Sequence, residues 1–315
     1  SWRATGSSSN AELAQAEEII RNRSRDLLRN NGFAVQIVET VADHVVGTGI
    51  IGAPIGPRGR NLQRVQQGWN DWIGECDFEG DYDLNGLMWQ AAKGAEESGA
   101  ALIRFRRQRF DGRATVAPLK LQLIEPDFID PLKNGTTADG GLIDRGIQYD
   151  AEGRKVGYWL YDHHPGDIAQ FRLRTLESSF VPADELIYLY SKLRPGQDRG
   201  MPLLAPAVMT LKDLDAYFQA EQVRKRIEAC LAGFIYTEES DGLPLGPQDG
   251  TKTKDGATVE KFTPGMLTRL KAGERIEINQ PTNSQGVSEF AILRLRECAA
   301  AAGVMYEHAT GDFRQ

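Results

Sequence analysis

The amino-acid sequence predicts an α+β protein, and three features of the chain lead to that fold class. Apolar residues recur at helical spacing through most of the first hundred residues. From Ala100 apolar and polar residues alternate, which is typical of strands that bury one face. A segment from Pro206 to about Ala232 then runs unbroken at helical spacing. We therefore predict helices packed beside a mostly antiparallel sheet, followed by one long helix.

Two helices are predicted near the amino terminus. The first opens at a capping box over residues 9–12, in which Ser9 is the cap, and closes at the Asn-Asn-Gly of residues 30–32. The second begins at Phe33 and carries its apolar residues on one side.

Two further helices precede the sheet. One covers residues 62–73, and the other runs from an N-cap at Asp83 to a terminating glycine at Gly99. Trp69 and Trp72 share a face with aliphatic side chains on the first of these helices. We interpret them as core residues rather than as a platform for stacking bases.

Five strands are predicted from the alternating pattern. A turn at residues 150–153 joins two of them into a hairpin. The predicted strands are residues 101–106, 119–124, 146–150, 156–161 and 185–191.

The long helix carries two apolar stripes. One contains Leu204, Val208, Leu211, Leu214 and Phe218, and the other contains Ala216, Ala220, Val223, Ile227 and Leu231. A helix with two apolar faces needs two neighbours, so we expect part of its surface to contact another copy of the chain.

The last hundred residues contain a polar segment between two helices. Residues 237–258 are rich in Gly, Pro, Asp, Thr and Lys and are predicted to form an exposed loop. A hairpin with strands at residues 266–270 and 275–279 follows, and then a helix over residues 287–302. On that helix Glu289 and Arg296 lie on the side opposite its apolar face, which contains Ala291, Ile292, Leu295, Ala299 and Ala302.

Composition restricts the classes of function. The formal charge is −7 and no block of Lys or Arg stands out, which disfavours a protein that binds nucleic acid through many phosphate contacts. Cys76, Cys230 and Cys298 are widely spaced and odd in number, so neither a disulfide framework nor a zinc site is indicated. No apolar run is long enough to cross a bilayer.

Two other functions are possible on sequence grounds. Asp162, His163 and His164 form the triplet of DHH phosphoesterases, and Asp81 and Asp83 are candidate partners for a pair of Mn²⁺ ions. A monomeric nucleic-acid-binding module is the second. A G-x-G-x-x-G pattern over residues 47–52 follows a predicted helix and precedes prolines, so its context does not fit a dinucleotide site.

Several motifs, in the same order, resemble the lambda-type family of tailed-phage portal proteins. The clearest is the Arg-Pro-Gly-Gln-Asp-Arg-Gly run of residues 194–200, followed by Leu-Leu-Ala-Pro. Further matching segments are residues 21–31, 46–50, 124–127, 146–150, 181–184, 211–217, 304–308 and 311–313.

The resemblance implies a portal-type fold in four parts. Residues 1–199 form an α/β wing, 200–235 a first stem helix, 236–284 a small β-containing clip, and 285–315 a second stem helix with the start of the return to the wing. Relatives continue into a tunnel loop and often a crown, so we expect this chain to be a fragment or to lack those parts.

The resemblance also implies an architectural function with no catalysis and no cofactor. Twelve copies would form a ring at one capsid vertex, through which double-stranded DNA is packaged and ejected. The implied partners are the terminase large subunit, a head–tail connector, and capsid and scaffold proteins, with assembly in the host cytoplasm, final location in the virion and no membrane. Within this scheme Glu289 and Arg296 face the DNA channel or a neighbouring subunit, and Lys252, Lys254 and Lys261 contact the motor or connector.

Overall fold

The computed structural model describes residues 6–56, 59–107, 117–167, 177–229, 233–237, 251–252, 258–259, 274–278 and 286–314. Contacts divide the chain into two compact units, Ser1–Lys212 with Ile292–Gln315, and Asp213–Ala291. The helices are α1 Ser9–Asn30, α2 Gly32–Val46, α3 Arg60–Ile73, α4 Leu84–Ser98, α5 Val208–Ala229, α6 Val287–Ala302 and α7 Tyr306–Thr310.

The strands and helices together confirm the predicted α+β class. The strands are β1 Ala101–Arg107, β2 Leu119–Ile124, β3 Gly135–Thr136, β4 Leu142–Asp144, β5 Ile147–Tyr149, β6 Lys155–Tyr161, β7 Ser178–Pro182, β8 Leu186–Leu189, β9 Gly233–Thr237, β10 Thr251–Lys252, β11 Thr258–Val259 and β12 Glu274–Ile278.

The first two helices are capped by side chains. Ser8, not Ser9, is the N-cap of α1, because its hydroxyl accepts a hydrogen bond of 3.2 Å from the N–H of Ala11. The predicted box was one residue late, since three consecutive serines offer equivalent caps. Asn31 caps α2 by accepting a 3.0 Å bond from the N–H of Ala34. The two helices are thus separated by a single capping residue.

The glycine pattern of residues 47–52 starts where α2 ends. Gly47 terminates that helix with a φ of 56°. No strand leads into the pattern, and the described residues 49–56 form no helix. The strand–turn–helix geometry of a dinucleotide site is therefore absent from this stretch.

Helices α3 and α4 pack on one face of β2. The rings of Trp69 and Trp72 lie 5.5 Å apart and contact a core that includes Cys76, Leu84 and Leu87. Asp83 caps α4 and Gly99 ends it with a φ of 86°, as predicted. The interpretation of both tryptophans as core residues is confirmed.

Two antiparallel sheets replace the single predicted sheet. One has the order β2-β1-β8 and the other the order β3-β4-β5-β6-β7. They face each other across a core of Leu102, Ile129, Ile147, Tyr158, Leu160, Val181 and Leu186. Strands β3, β4 and β7 were missed, because β3 and β4 are only two and three residues long and β7 begins with two serines and ends at a proline.

A helical core joins distant parts of the chain. It comprises Leu27, Ala34, Ile37, Val38, Leu204, Ala207, Val208, Leu211, Cys298, Ala299, Ala302 and Ala309. Helix α5 begins at Val208, two residues later than predicted, because Pro202 and Pro206 hold residues 203–207 in successive turns. In the part of the chain that is described, no helix is long and apolar enough to span a membrane.

The prediction for the end of the long helix is wrong, as the unit of residues 213–291 shows. Residues 233–235, which the predicted stem helix includes, belong instead to β9, and β9 pairs antiparallel with β12. Gly233 interrupts the helical pattern, and the β-branched and aromatic residues after it favour a strand. The predicted 237–258 loop contains β10, and its last residue, Thr258, begins the β11 strand that pairs with β10. The predicted strand at 266–270 lies outside the described residues.

The loop of residues 194–200 is folded around a buried amide. Gln197 accepts hydrogen bonds from the N–H groups of Leu193 and Arg194 and donates to the carbonyl of Arg199. Gly200 then passes against the backbone of Gly99 so closely that a side chain at Gly200 would overlap the Gly99 carbonyl. This contact joins the end of α4 to the segment that leads into α5.

The close approach at Gly200 predicts that Gly200→Ala lowers the free energy of unfolding by about 2–4 kcal/mol, since backbone has to move to admit the methyl group. Gly32→Ala is the matched control, because no heavy atom lies within 4 Å of the new methyl position. We expect that control to change stability by less than about 1 kcal/mol. Urea unfolding of both variants is the measurement, and equal effects would contradict the proposed contact.

The hydrogen bonds of the buried Asp130 predict that its loss lowers the stability of the folded chain. Its carboxylate accepts hydrogen bonds from Tyr161 at 2.7 Å, Ser178 at 2.6 Å and the N–H of Leu132 at 2.9 Å. Burial alone would raise the pKa of Asp130, but these bonds outweigh it and lower the pKa. Asp130→Ala should cost about 2–3 kcal/mol near neutral pH.

The stabilisation that Asp130 provides depends on pH. Because the pKa of Asp130 is lower in the folded chain than the usual 3.8, its stabilisation is complete above that pH and is lost as the pH falls through the folded value. The difference between wild type and Asp130→Ala should therefore shrink below about pH 4. Asp139→Ala, at an exposed position of the same sheet region, should cost little at any pH; thermal unfolding across pH tests both statements.

Candidate functional site

Charged side chains of α1 are buried against the sheets. Arg21 and Arg25 are one helical turn apart and both reach Asp127, in a short 3₁₀ helix at Pro126–Phe128. The Arg25 Nη2 to Asp127 Oδ2 distance is 2.7 Å, and the Arg21 Nε to Asp127 Oδ1 distance is 3.5 Å. Burial favours a higher pKa for Asp127, but the two guanidinium groups outweigh it and lower the pKa. Asp127 is therefore ionised at neutral pH.

A second carboxylate on α1 contacts three guanidinium groups. Glu17 lies 3.6 Å from Arg21, 3.3 Å from Arg145 and 3.4 Å from Arg199. Arg199 is only 3% exposed and also donates to the backbone carbonyl of Arg145. We call Glu17, Arg21, Arg25, Asp127, Arg145 and Arg199 the buried charge cluster. It ties α1 to the five-stranded sheet and to the 194–200 loop.

Asp198, beside this cluster, fixes the same loop from the other side. Its carboxylate lies 2.9 Å from Lys155 Nζ and accepts a 2.8 Å bond from Asn10. Asn10 in turn accepts from the N–H of Asp198. Burial acts to raise the pKa of Asp198, but Lys155 and Asn10 lower it on balance. Gln197, Arg199 and Gly200 of the clearest sequence motif are thus packed structural residues, whereas residues 194–196 are exposed.

The structure does not assemble the predicted phosphoesterase site. Asp162 is exposed, and Asp83 is occupied in capping α4 with a 2.7 Å bond. Instead His164 approaches Glu125, with 3.1 Å between Nε2 and Oε2, and the ligand atoms of Glu125, Asp127 and His164 lie within 4.8 Å of one another.

Arg25 already pairs with both carboxylates, since its Nη2 lies 2.7 Å from Asp127 and 3.2 Å from Glu125. A divalent cation would have to displace that guanidinium group. The ion pairs with Arg25 therefore account for the grouping of these side chains.

The carboxy-terminal helix α6 has the predicted two sides. Ala291, Leu295, Ala299 and Ala302 are buried, and Ile292 is half-buried. The predicted packing of this side on the first long helix is confirmed in the helical core, where Ala299 and Ala302 join Val208 and Leu211. Cys298 belongs to the same face and was not predicted to do so.

Both predicted channel residues are exposed, in keeping with their position on α6. Glu289 lies in the first turn of the helix. Arg296 lies over the ring of Tyr306, with 5.4 Å between the guanidinium carbon and the ring centroid. Each side chain is thus available to a partner outside the chain.

Of the three lysines predicted to lie on the clip surface, the structure describes one. Lys252 is in β10, with Thr258 opposite it. Lys254 and Lys261 lie outside the described residues. Their contact with a motor or connector stays a prediction.

Known proteins resemble this chain along its entire length. The probable portal protein of Halomonas phage phiHAP-1 is 26% identical, and the match covers 99% of this chain and 62% of that protein. The portal protein of Escherichia phage N15 is 22% identical over 100% of this chain and 64% of that protein. The chain thus spans slightly less than two thirds of the length of these curated relatives.

A similar fold occurs in the neck of a native GTA particle, computed with C12 symmetry. The TM-score is 0.56 at 14% sequence identity, and the match covers 96% of this chain and 76% of that one. This likeness confirms the predicted portal-type fold.

The family described as "Phage portal protein, lambda family" matches residues 1–315. Because this match spans the whole sequence, the chain belongs to the lambda family of phage portal proteins.

Proposed function

We propose that the chain is the ring-forming part of a phage portal, the channel through which DNA enters and leaves the capsid. The observation that carries this proposal is the family match over residues 1–315. The twelvefold symmetry of the structurally similar neck supports a ring of twelve copies. In this ring the chain is a passive conduit, and ATP hydrolysis belongs to a separate motor.

The parts of the proposed portal subunit follow one another along the sequence. Residues 1–199 form the wing, and 200–235 the first stem segment, with α5 as its helical part. Residues 236–284 form the clip, and 285–315 the second stem helix and the return to the wing. The partners are double-stranded DNA, the terminase large subunit, a head–tail connector, and capsid and scaffold proteins. Assembly takes place in the host cytoplasm, and the mature ring lies in the virion.

Two surfaces carry the contacts of this ring. Glu289 and Arg296 are exposed on α6 and face either DNA or the adjacent subunit. If they face DNA, one ring of twelve Glu289 carboxylates beside one ring of twelve Arg296 guanidinium groups leaves no deep electrostatic well, so the duplex slides. Lys252, Lys254 and Lys261 form the clip surface that contacts the motor or connector, where charges chiefly tune encounter and specificity.

Ring formation is the direct test of the proposal. The full-length protein that contains this chain should form closed rings, because α5 and α6 each leave apolar residues exposed, such as Met209, Val223 and Leu293. Mass photometry gives the copy number, and electron microscopy gives the symmetry. A monodisperse monomer at high protein concentration would contradict the proposal.

Arg296→Glu separates the two roles of the exposed α6 residues. If Arg296 faces DNA, rings should form normally while the salt dependence of DNA packaging or retention changes, since one phosphate-facing cation per subunit is reversed. Loss of rings would instead favour an ion pair between subunits. Arg154→Glu is the matched control, because Arg154 is exposed on a hairpin of the wing. An unchanged salt profile with intact rings would reject both roles.

A further inference from the structure

Two histidines from distant parts of the sequence meet within the first compact unit. His44 lies in the last turn of α2, and His308 lies in the short helix α7. Their ring centroids are 5.2 Å apart, and the ring planes are inclined to each other by 35°. His44 is exposed and His308 is half-buried, so the two rings can be reached from solvent. We call His44 and His308 the histidine pair.

Both members of the histidine pair are held by one residue, Thr40. The backbone carbonyl of Thr40 lies 2.6 Å from His44 Nδ1, and the Thr40 hydroxyl donates a hydrogen bond of 3.4 Å to the carbonyl of His308. Thr40 is itself buried, and so is Ala309, which follows His308 and belongs to the helical core. The backbone segments that carry the two rings are therefore fixed relative to each other.

The contact with Thr40 determines which nitrogen of His44 carries the proton. A carbonyl oxygen accepts hydrogen bonds and cannot donate them, so Nδ1 is the donor in the 2.6 Å contact. In the neutral ring Nε2 then has a free lone pair. Histidines that bind metal ions are commonly oriented in this way, with one ring nitrogen donating to a backbone carbonyl while the other coordinates the ion.

The spacing of the rings fits two imidazoles on one metal ion. Zinc–nitrogen distances are about 2.0–2.1 Å and zinc sites are usually tetrahedral, which places the centroids of two bound imidazoles about 5 Å apart. The centroids of the histidine pair are 5.2 Å apart. The two rings thus already have the separation that a shared ion requires.

We propose that His44 and His308 bind one divalent transition-metal ion of the zinc and copper class. Imidazole nitrogen suits Zn²⁺, Cu²⁺ and Ni²⁺, whereas Mg²⁺ and Ca²⁺ prefer oxygen ligands. Among the described residues no carboxylate or thiol joins the pair as a third ligand, so water completes the coordination sphere. The ion links α2 to α7 and so fastens the segment that follows α6 to an amino-terminal helix. This site does not depend on the proposed ring.

Zinc titration of the full-length protein, after a chelator has removed bound metal, tests the proposal. The thermal unfolding midpoint of wild type should rise with Zn²⁺ concentration, because an ion that binds only the folded state stabilises it. His44→Gln and His308→Gln should each lower the Zn²⁺ affinity at least about tenfold, since even the loss of a residue that only orients a ligand costs about 10–100-fold. The matched control is the double variant His163→Gln and His164→Gln, which should keep the wild-type affinity.

Three results of this titration would overturn the proposal. The first is a wild-type unfolding midpoint that does not respond to Zn²⁺. The second is an equal affinity of wild type, His44→Gln and His308→Gln. The third is a loss of affinity in the control variant alone, which would assign the ion to His163 and His164. None of these results affects the proposed portal function, which ring formation tests separately.

Copper provides a readout that leaves the histidine pair intact. Cu²⁺ binds nitrogen ligands more tightly than Zn²⁺ does. With one equivalent of Cu²⁺ on the control variant, which lacks His163 and His164, the electron paramagnetic resonance spectrum should show hyperfine splitting from two imidazole nitrogens. Splitting from one nitrogen or from none would overturn the proposal, even if His44→Gln or His308→Gln failed to fold.

Discussion

The buried charge cluster is the constraint on which the first compact unit depends. Glu17 and Arg199 are withdrawn from water and lie 3.4 Å apart, so each charge is paired within the cluster. Removing one partner from such a network leaves an uncompensated buried charge, which costs about 3–5 kcal/mol, whereas the intact network contributes little net stability. We interpret the cluster as a source of structural specificity. Any other register of α1 on the sheets would leave buried charges without partners.

The docking of α1 also fixes the position at which the long helix α5 begins. Arg199 and Asp198 hold the 194–200 loop against α1 and β6, and Gly200 then fits against Gly99. The chain leaves this contact through two prolines and enters α5 at Val208, where Leu204 and Leu211 are completely buried. The starting point of α5 is therefore set by interactions with α1 and α4. In the proposed ring, the same interactions link the wing to the stem.

Local signals made much of this fold predictable. Asp83 and Gly99 bounded α4 correctly because caps act within one turn, and the buried side of α6 followed from helical spacing. The charge cluster was not predictable, since Arg25 and Asp127 are 102 residues apart in sequence and nothing local marks them as partners. The strand at Gly233–Thr237 was missed for a related reason, because its partner, Glu274–Ile278, lies far along the chain. Exposure of Glu289 and Arg296 followed from the helix period, but nothing in the sequence identifies what these side chains would contact outside the chain.

In the proposed DNA channel, the cluster would also weaken the attraction between the chain and DNA. Four arginines that could otherwise bind phosphates are folded inward, where Glu17 and Asp127 neutralise part of their charge. Each arginine withdrawn in this way is one cation fewer for the phosphate backbone, and affinity for a duplex falls steeply as the number of neutralised phosphates decreases. In the proposed ring, these four arginines are unavailable to the duplex, and the formal charge of the whole chain is −7. Weak attraction is what a conduit requires, because a channel that bound DNA tightly at each step would resist the motor that drives it. The same residues that fix the wing would thus keep the channel permissive.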